Sequence, residues 1–348
     1  MRPRLKLNPG CSRLAVMASL IAFTLIGSGC ERSRQALEIT GVTMATQYAV
    51  TVVEPRQTDS VALKRRIDTR LAAINAVMST YDPDSELSRL NANASTDWIS
   101  VSDSLHAVLA AARAIGRESG GAFDVTVGPL VNLWGFGPEE RDGVPGDDEI
   151  AIAMRRVGLD KFELRGVPKS LRKRRGDITI DLSGIAKGYA VDEIAEMLEA
   201  QGETDYLVEI GGELRANGQN RTGNPWRIGI ENPISGIRDV GRAVPLTNTG
   251  MASSGTYRNF FDVDGVRYSH MIDPKSGWPV RDSLAGVTVI HRSAMIADAW
   301  ATALMTLGFE RAQKIAAAKN VAALFFSVAA DNPKSVPNAA FNAAIGKK

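Results

Sequence analysis

The sequence predicts an α+β protein. Antiparallel or mixed sheets are surrounded by helices, in one compact unit with two lobes around a cleft. Three observations carry this. Strand-like runs crowd the second half of the chain while helical patterns fall at irregular places, unlike the alternation of a parallel βαβ array. No repeat occurs at a solenoid period. No linker-like stretch follows residue 40, so 40–330 reads as one domain between a leader and a tail.

Taken in order, residues 1–30 form the leader. Arg2, Arg4, Lys6 and Arg13 make a positive head, Leu14 to Ile26 an apolar core, and Gly27-Ser28-Gly29-Cys30 a small-residue end. That core is too short to span a bilayer unaided. It fits an ordinary signal peptide, an N-terminal anchor or a lipoprotein signal. A Cys directly after Gly29 favours the last, with Cys30 as the lipidated residue, although Gly27 stands where Leu is usual. The expected location is then the periplasmic side of a membrane, held by a lipid. Cys11 leaves with the leader, so no disulfide remains.

Residues 31–39 read as a polar tether. The alternation of Tyr48, Val50 and Val52 predicts a strand within 41–53. Leu63, Ile67, Leu71, Ile74 and Met78 recur at helical spacing and predict a helix over 60–78. Asp82-Pro83-Asp84-Ser85 makes a turn into a short helix through Leu87 and Leu90. A helix over 103–118 ends at Gly120-Gly121. The Gly-, Pro- and aromatic-rich stretch 128–146 reads as a long ordered loop, followed by a short helix over 147–157.

Two β-like runs between Phe162 and Leu182 flank a basic tract, Lys169, Arg172, Lys173, Arg174 and Arg175. The tract is read as a solvated hairpin, with a lipid-headgroup or partner patch as the other reading. A helix over 185–199 follows, then strands at 206–210, 226–231, 243–247, 259–263, 266–272 and 286–291. Helices over 294–307 and 310–319 and a strand over 322–328 complete the domain. The polar tail 331–348 is expected to be loosely held.

Composition excludes little. Hydrophobic residues make up 44% of 348, enough for a sizeable core. A net charge of +2 gives no global case for nucleic acid. The chain's three His are widely separated and have no zinc spacing.

The chemistry concentrates at a few places. In Asp181-Leu-Ser-Gly-Ile-Ala-Lys-Gly-Tyr-Ala-Val-Asp192 an apolar run stops at a carboxylate and a Ser-Gly turn, and a helix begins. Free N–H groups and the helix dipole there attract phosphate. In Asp298-Ala-Trp-Ala-Thr302 a carboxylate and a hydroxyl lie four apart on one helix face. An Asp in so apolar a helix needs a partner. That partner is either a loop hydrogen bond or a Mg²⁺ ion held by hard oxygens and substrate phosphate. Gly120-Gly121-Ala122-Phe123-Asp124 lets backbone approach a ligand or caps a helix. Tyr81 either stacks on a flat ring or edges the core. His270, at a strand end in Ser269-His-Met-Ile-Asp-Pro274, is an acid–base or phosphate-binding candidate or a satisfied structural His. Ser253-Ser-Gly-Thr-Tyr-Arg258 lacks the Gly-x-Ser-x-Gly order, which excludes a Ser-His-Asp hydrolase.

These motifs, in order, resemble the ApbE family of FAD:protein FMN transferases. They are Gly41-Val-Thr-Met44, Met78-Ser-Thr-Tyr81, Gly121-Ala-Phe-Asp124, Asp181 to Asp192, Glu209-Ile-Gly-Gly212, Ser269 to Pro274 and Asp298 to Thr302. The likeness covers about residues 40–325. It implies an exported α+β flavin enzyme that binds FAD and Mg²⁺ in the cleft, moves FMN to a Thr or Ser hydroxyl of a target protein, and releases AMP. By that likeness Met44 and Tyr81 touch the flavin; Ala122, Phe123 and Asp124 line the FAD site; Asp181, Lys187 and Ile272 complete it. Gly184 offers a carbonyl to the metal, Asp298 and Thr302 are side-chain ligands, and Ala301 lies close by. Asp298 and His270 are the catalytic candidates, His270 positioning or deprotonating the hydroxyl, with Asp273 a candidate to orient it. The likeness implies as acceptor a flavoprotein subunit of a membrane redox complex: a sodium-pumping quinone reductase (Nqr), an Rnf complex or a nitrous-oxide-respiration flavoprotein. An FAD pyrophosphatase and a non-catalytic flavin-binding lipoprotein are the alternatives.

Overall fold

Alternating apolar residues at the start and end of the domain build one sheet from both ends of the chain. The computed structural model describes residues 33–346 apart from 140, 142, 234–239, 258 and 329–333. The leader and Cys30 lie outside the described residues.

β1 (Ala36–Thr43) and β2 (Thr46–Val53) form a hairpin in full register, Ala36 opposite Val53 and Thr43 opposite Thr46. The last four residues of the expected tether, 36–39, therefore belong to an edge strand. Its polar residues face outward while Ile39 and Thr43 are buried, which is why composition alone reads it as a tether. The hairpin turns through Met44 (φ 47°) and Ala45 (φ 56°), left-handed positions that Asn-Gly ordinarily fills.

α1 (Ser60–Met78) is capped by Asp59, whose side chain accepts from the Val61 and Ala62 amides, and buries the five residues of its apolar stripe. α2 (Glu86–Ala92), β3 (Trp98–Ser100) and α3 (Asp103–Glu118) follow. A 3₁₀ turn at Val125–Val127 leads into α4 (Gly128–Leu133), so the expected loop opens with a helix started by Pro129. α5 (Asp147–Met154) precedes the hairpin of β4 (Phe162–Gly166) and β5 (Lys169–Lys173), and β5 pairs with both β3 and β4.

The basic tract is thus itself a strand, not a turn between strands, and one of its cations is inside. The side chain of Lys173 is fully buried. Its Nζ donates to the carbonyls of Asn91 (3.1 Å) and Asn93 (2.7 Å). The apolar run 178–182 is extended but joins no ladder; Asn91 clamps it, accepting from the Ile180 amide and donating to the Ile180 carbonyl, both at 2.8 Å.

Beyond it come α6 (Ala186–Ala200), β6 (Tyr206–Ile210), β7 (Glu213–Asn217), the hairpin of β8 (Trp226–Glu231) and β9 (Val240–Leu246), and β10 (Thr249–Gly255). β11 (Phe260–Val263) and β12 (Val266–Ser269) make another hairpin. β13 (Leu284–His291), α7 (Ala294–Leu307), α8 (Phe309–Ala318) and β14 (Ala322–Ser327) close the domain. The described residues of the tail, 334–346, carry two elements: β15 (Lys334–Pro337) adds to the sheet edge, and α9 (Ala339–Ala344), capped by Asn338, buries Phe341 completely.

The main sheet is antiparallel throughout, in the order β1-β2-β6-β7-β10-β13-β14-β15. On one face α1, α3, α6, α7 and α8 pack over Tyr48, Val50, Val208, Ala252 and Val289. The other face, with Leu214, Met251, Ile290, Leu324 and Phe326, is covered by β8, β9 and α9. A third cluster gathers around Trp134, stacked on Tyr268 and donating its indole N–H to the Gly277 carbonyl at 2.8 Å. Among the described residues no helix is long and apolar enough to cross a membrane.

Candidate active site

Two helix starts meet over the sheet, and their meeting makes the site. α6 begins without a side-chain cap of its own. Asp298, from the middle of α7, supplies one: its Oδ2 accepts from the Gly188 amide at 3.0 Å. A Cβ at Gly188 would lie 2.4 Å from the Ala294 carbonyl oxygen and 2.8 Å from Asp298 Cβ. Only glycine lets the helices approach this closely. Asp192, further along α6, caps α7 in return, accepting from the Ala294 and Met295 amides and the Ser293 hydroxyl. Each helix therefore fixes the other, and Asp298 is held at the positive end of α6.

One turn along α7, Thr302 presents its hydroxyl 3.4 Å from that of Ser254 on β10. A Cβ at Gly184 would stand 3.0 Å from Thr302 Oγ1, so this backbone runs directly past the hydroxyl. Glu213, at the start of β7, is buried and pairs with Lys187 Nζ at 2.7 Å. Burial raises the carboxyls of both Glu213 and Asp298, and the Lys187 cation opposes the rise in each.

These groups line a cavity of about 330 Å³. Its walls include Ala122, Phe123, Asp124, Asp181, Gly184, Lys187, His270, Ile272, Asp298 and Thr302. Of the residues expected at the site, these ten are brought together. Met44 and Tyr81 line an adjoining groove that shares Ser183 and Lys187 with the cavity. The Tyr81 ring is not core; it is 69% exposed, with its hydroxyl donating to the Phe136 carbonyl at 3.2 Å. Ala301 is not brought to the cavity. It lies on the inner side of α7, fully buried among core residues, since one residue of rotation separates it from Thr302.

Several walls are built by their own turns. Gly120 (φ 66°) and Gly121 (φ 85°) hold left-handed conformations, and they deliver Phe123, whose amide donates to Ser119 Oγ. Asp124 Oδ1 accepts from the Thr126 amide (2.8 Å) and hydroxyl (2.6 Å), which fixes the orientation of the carboxylate at the cavity wall. Asp181 likewise accepts from the Ser183 amide and hydroxyl, folding the turn that precedes α6.

His270 Nδ1 lies 2.9 Å from the Asn259 carbonyl oxygen. A carbonyl only accepts, so Nδ1 carries the proton and Nε2 keeps its lone pair. Burial holds the imidazole below its ordinary value, against the pull of the Asn259 carbonyl. The expected orienting residue Asp273 is occupied elsewhere: its Oδ1 accepts from the Lys275 amide. A backbone carbonyl takes its place. Sequence does not single out Glu213, and it presents Ser254 only within the Ser253–Arg258 stretch weighed as a hydrolase turn. The available signal for Glu213 was its position directly after the Gly211-Gly212 turn, where an acid opens a strand.

The donor set suits a hard cation. Asp298 and Glu213 carboxylates, Thr302 and Ser254 hydroxyls and the Gly184 backbone are all oxygen. Among the described residues no cluster of three or more His, Cys, Asp or Glu could hold a metal alone. A cation here needs its remaining oxygens from ligand and water, as Mg²⁺ ordinarily does.

A model of the ApbE family matches residues 44–325, a span that contains every wall of the cavity. The chain belongs to the ApbE family. A Vibrio cholerae protein named FAD:protein FMN transferase is 41% identical over 336 residues, covering 96% of this chain and 99% of that protein. The solved structure of flavin transferase ApbE from Vibrio cholerae superposes with a TM-score of 0.83 at 41% identity, covering 89% of this chain and 99% of that one. That of Pseudomonas stutzeri flavinyl transferase ApbE, apo form, gives 0.82 at 37% identity, covering 90% and 98%. The ApbE match bears out the α+β class and the family expected from the motifs.

Proposed function

We propose that this chain is an FAD:protein FMN transferase that moves the FMN half of FAD onto a Thr or Ser hydroxyl of an acceptor protein and releases AMP. The observation that carries this reading is the junction at Ser183 and Lys187. There a groove beneath an exposed aromatic ring runs into an oxygen-lined pocket at a helix N-terminus. A flat ring bearing a diphosphate fits such a pair of spaces. Tyr81 and Met44 hold the flavin ring, and Phe123 and Ile272 close on the rest of the nucleotide. The α6 N-terminus and the Lys187 cation attract the diphosphate.

Asp298, Thr302 and the Gly184 carbonyl would hold Mg²⁺, with Glu213 beside them. When bound, the ion neutralises diphosphate charge and polarises the scissile P–O bond. His270 Nε2 receives the proton of the acceptor hydroxyl. That oxygen forms a bond to the FMN phosphorus, the P–O bond to the AMP half breaks, and the electron pair departs with AMP. Export and lipid attachment at Cys30 belong to the same reading, supported by the leader's charge and apolar pattern. So do acceptors of the Nqr, Rnf and nitrous-oxide-respiration kinds, supported by the family resemblance.

The test uses Asp298→Asn, which keeps an oxygen to accept from Gly188 but removes the charge. With FAD, Mg²⁺ and an acceptor peptide, wild type yields flavin-labelled peptide and AMP together. The variant loses transfer by at least about 100-fold, partly recovered at high Mg²⁺. An Asp298→Asn enzyme that transfers normally at low Mg²⁺ contradicts the metal assignment. FMN and AMP formed by wild type at the same rate without peptide identify a pyrophosphatase instead.

A further inference from the structure

We propose that the acceptor protein docks as a short extended segment along the end of β10, Ala252–Gly255, adding a strand beside the active site. The inference rests on the transferase reading above. Its basis is a step in the main sheet. β10 pairs with β13 over its full run, from Gly250 opposite His291 to Gly255 opposite Gly286. On its other side it pairs with β7 only from Thr249 to Met251, because β7 starts at Glu213, after the Gly211-Gly212 turn. β10 therefore overruns its neighbour by four residues, about 13 Å of strand. Among the described residues no strand lies against that overhang.

The ladder fixes which groups are on offer. The Thr256 amide donates to the Ala285 carbonyl, continuing the register toward β13. In an antiparallel pair successive residues turn their backbone groups to alternate sides. Ser254 and Ala252 thus bond toward β13, while Ser253 and Gly255 turn their N–H and C=O groups to the open side. The side chain of Ser254 points at Thr302 and that of Ser253 at Thr288 on the opposite face, 2.8 Å away.

The overhang also joins two spaces. The catalytic cavity and a second cavity on the other face both include Ser253, Ser254 and Gly255 in their walls, with Gly211 lining the first and Gly212 the second. A strand paired here lies between the two cavities, beside Ser254 and Thr302. The bordering residues Gly211, Gly212, Ser254 and Gly255 are small, so backbone can approach backbone. Main-chain bonds supply affinity, and alternate side chains face the two cavities. A hydroxyl residue aimed into the catalytic cavity then has neighbours aimed away from it, toward the second cavity.

The test uses the full-length enzyme with FAD and Mg²⁺. A library of short synthetic peptides, each with one Thr, supplies the most efficiently flavin-labelled member. Its backbone is then N-methylated one residue at a time. We expect kcat/KM to fall about tenfold or more at alternate positions, with little effect between them. Ser253→Pro, which removes an open-side N–H, lowers transfer by about tenfold relative to Ser253→Ala, with FAD binding, read from flavin fluorescence, equal in the two. Uniform tolerance of N-methylation overturns the docking mode, as does equal transfer by the two variants. If Ser253→Pro does not fold, the methylation scan on wild type decides alone. Wild type that binds FAD yet labels no peptide overturns the transferase reading and this inference with it.

Discussion

At the scale of single residues the site is a set of titratable groups given definite jobs by their neighbours. His270 is the clearest case. The Asn259 carbonyl fixes its tautomer and burial lowers its pKa, so it is neutral and basic near pH 7. The sign follows from the proposed role: a ring that takes the acceptor's proton must be unprotonated, so we expect kcat/KM to rise with pH and level off, with its midpoint below the ordinary 6.5 of histidine. We expect His270→Gln to abolish that rise and to lower kcat at least about 100-fold while FAD affinity changes little. A pH–rate series on both enzymes, with FAD titrated by fluorescence, checks it; equal losses in turnover and affinity assign His270 to binding. Lys173 shows the same logic without chemistry. Lys173→Ala leaves the Asn91 and Asn93 carbonyls without their donor and costs roughly 3 kcal/mol in urea unfolding. Arg174→Ala, whose side chain is exposed and pairs with Glu163 at the surface, costs less than about 0.5 kcal/mol. Charge patterning saw only a basic tract, because sequence does not say which cation points inward.

Among the elements, those with a strong period were legible and those made of small or polar residues were not. The apolar stripes of α1 and α3 and the run of α7 announce themselves. β10 does not: Thr-Gly-Met-Ala-Ser-Ser-Gly lacks the branched and aromatic residues of a strand, because α7 packs too close for larger ones. A Cβ at Gly250 would sit 2.7 Å from the Ala294 amide nitrogen. β7 was hidden in the same way by Glu213 and Arg215, charges that are paired with Lys187 and Asp192. The site was more legible than the sheet that carries it, since ten of the expected residues share one cavity whereas Glu213 and Ser254 sit on those two unforeseen strands. The β1–β2 turn shows the converse, a short element with the wrong residues for its geometry. Met44 and Ala45 occupy left-handed positions at a cost of about 1 kcal/mol each. Replacing Met44→Asn together with Ala45→Gly should raise stability by about 1–2 kcal/mol. It should also weaken FAD binding several-fold, because Met44 lines the groove; thermal unfolding and fluorescence titration measure the two sides.

For the molecule as a whole, both chain ends matter to the sheet. β1 forms one edge and β15 the other, and α9 behind β14 covers the second core. A polar, Pro-containing tail conceals this because only Phe341 and Ile345 among its described residues are buried. We expect Phe341→Ala to destabilise the protein by about 3–5 kcal/mol in denaturant unfolding, with no change in the FAD affinity of the folded fraction. Little or no loss of stability would mean that the tail is held loosely after all. The wide sequence spacing of the cavity walls has a further consequence. Met44, Phe123, Lys187, Ser254, His270 and Asp298 come from segments strewn across the polypeptide, so a fragment must run from Met44 to beyond Asp298 to hold them all. A chain still short of α7 therefore lacks the Asp298 and Thr302 wall, and dinucleotide cleavage waits on synthesis of nearly the whole domain.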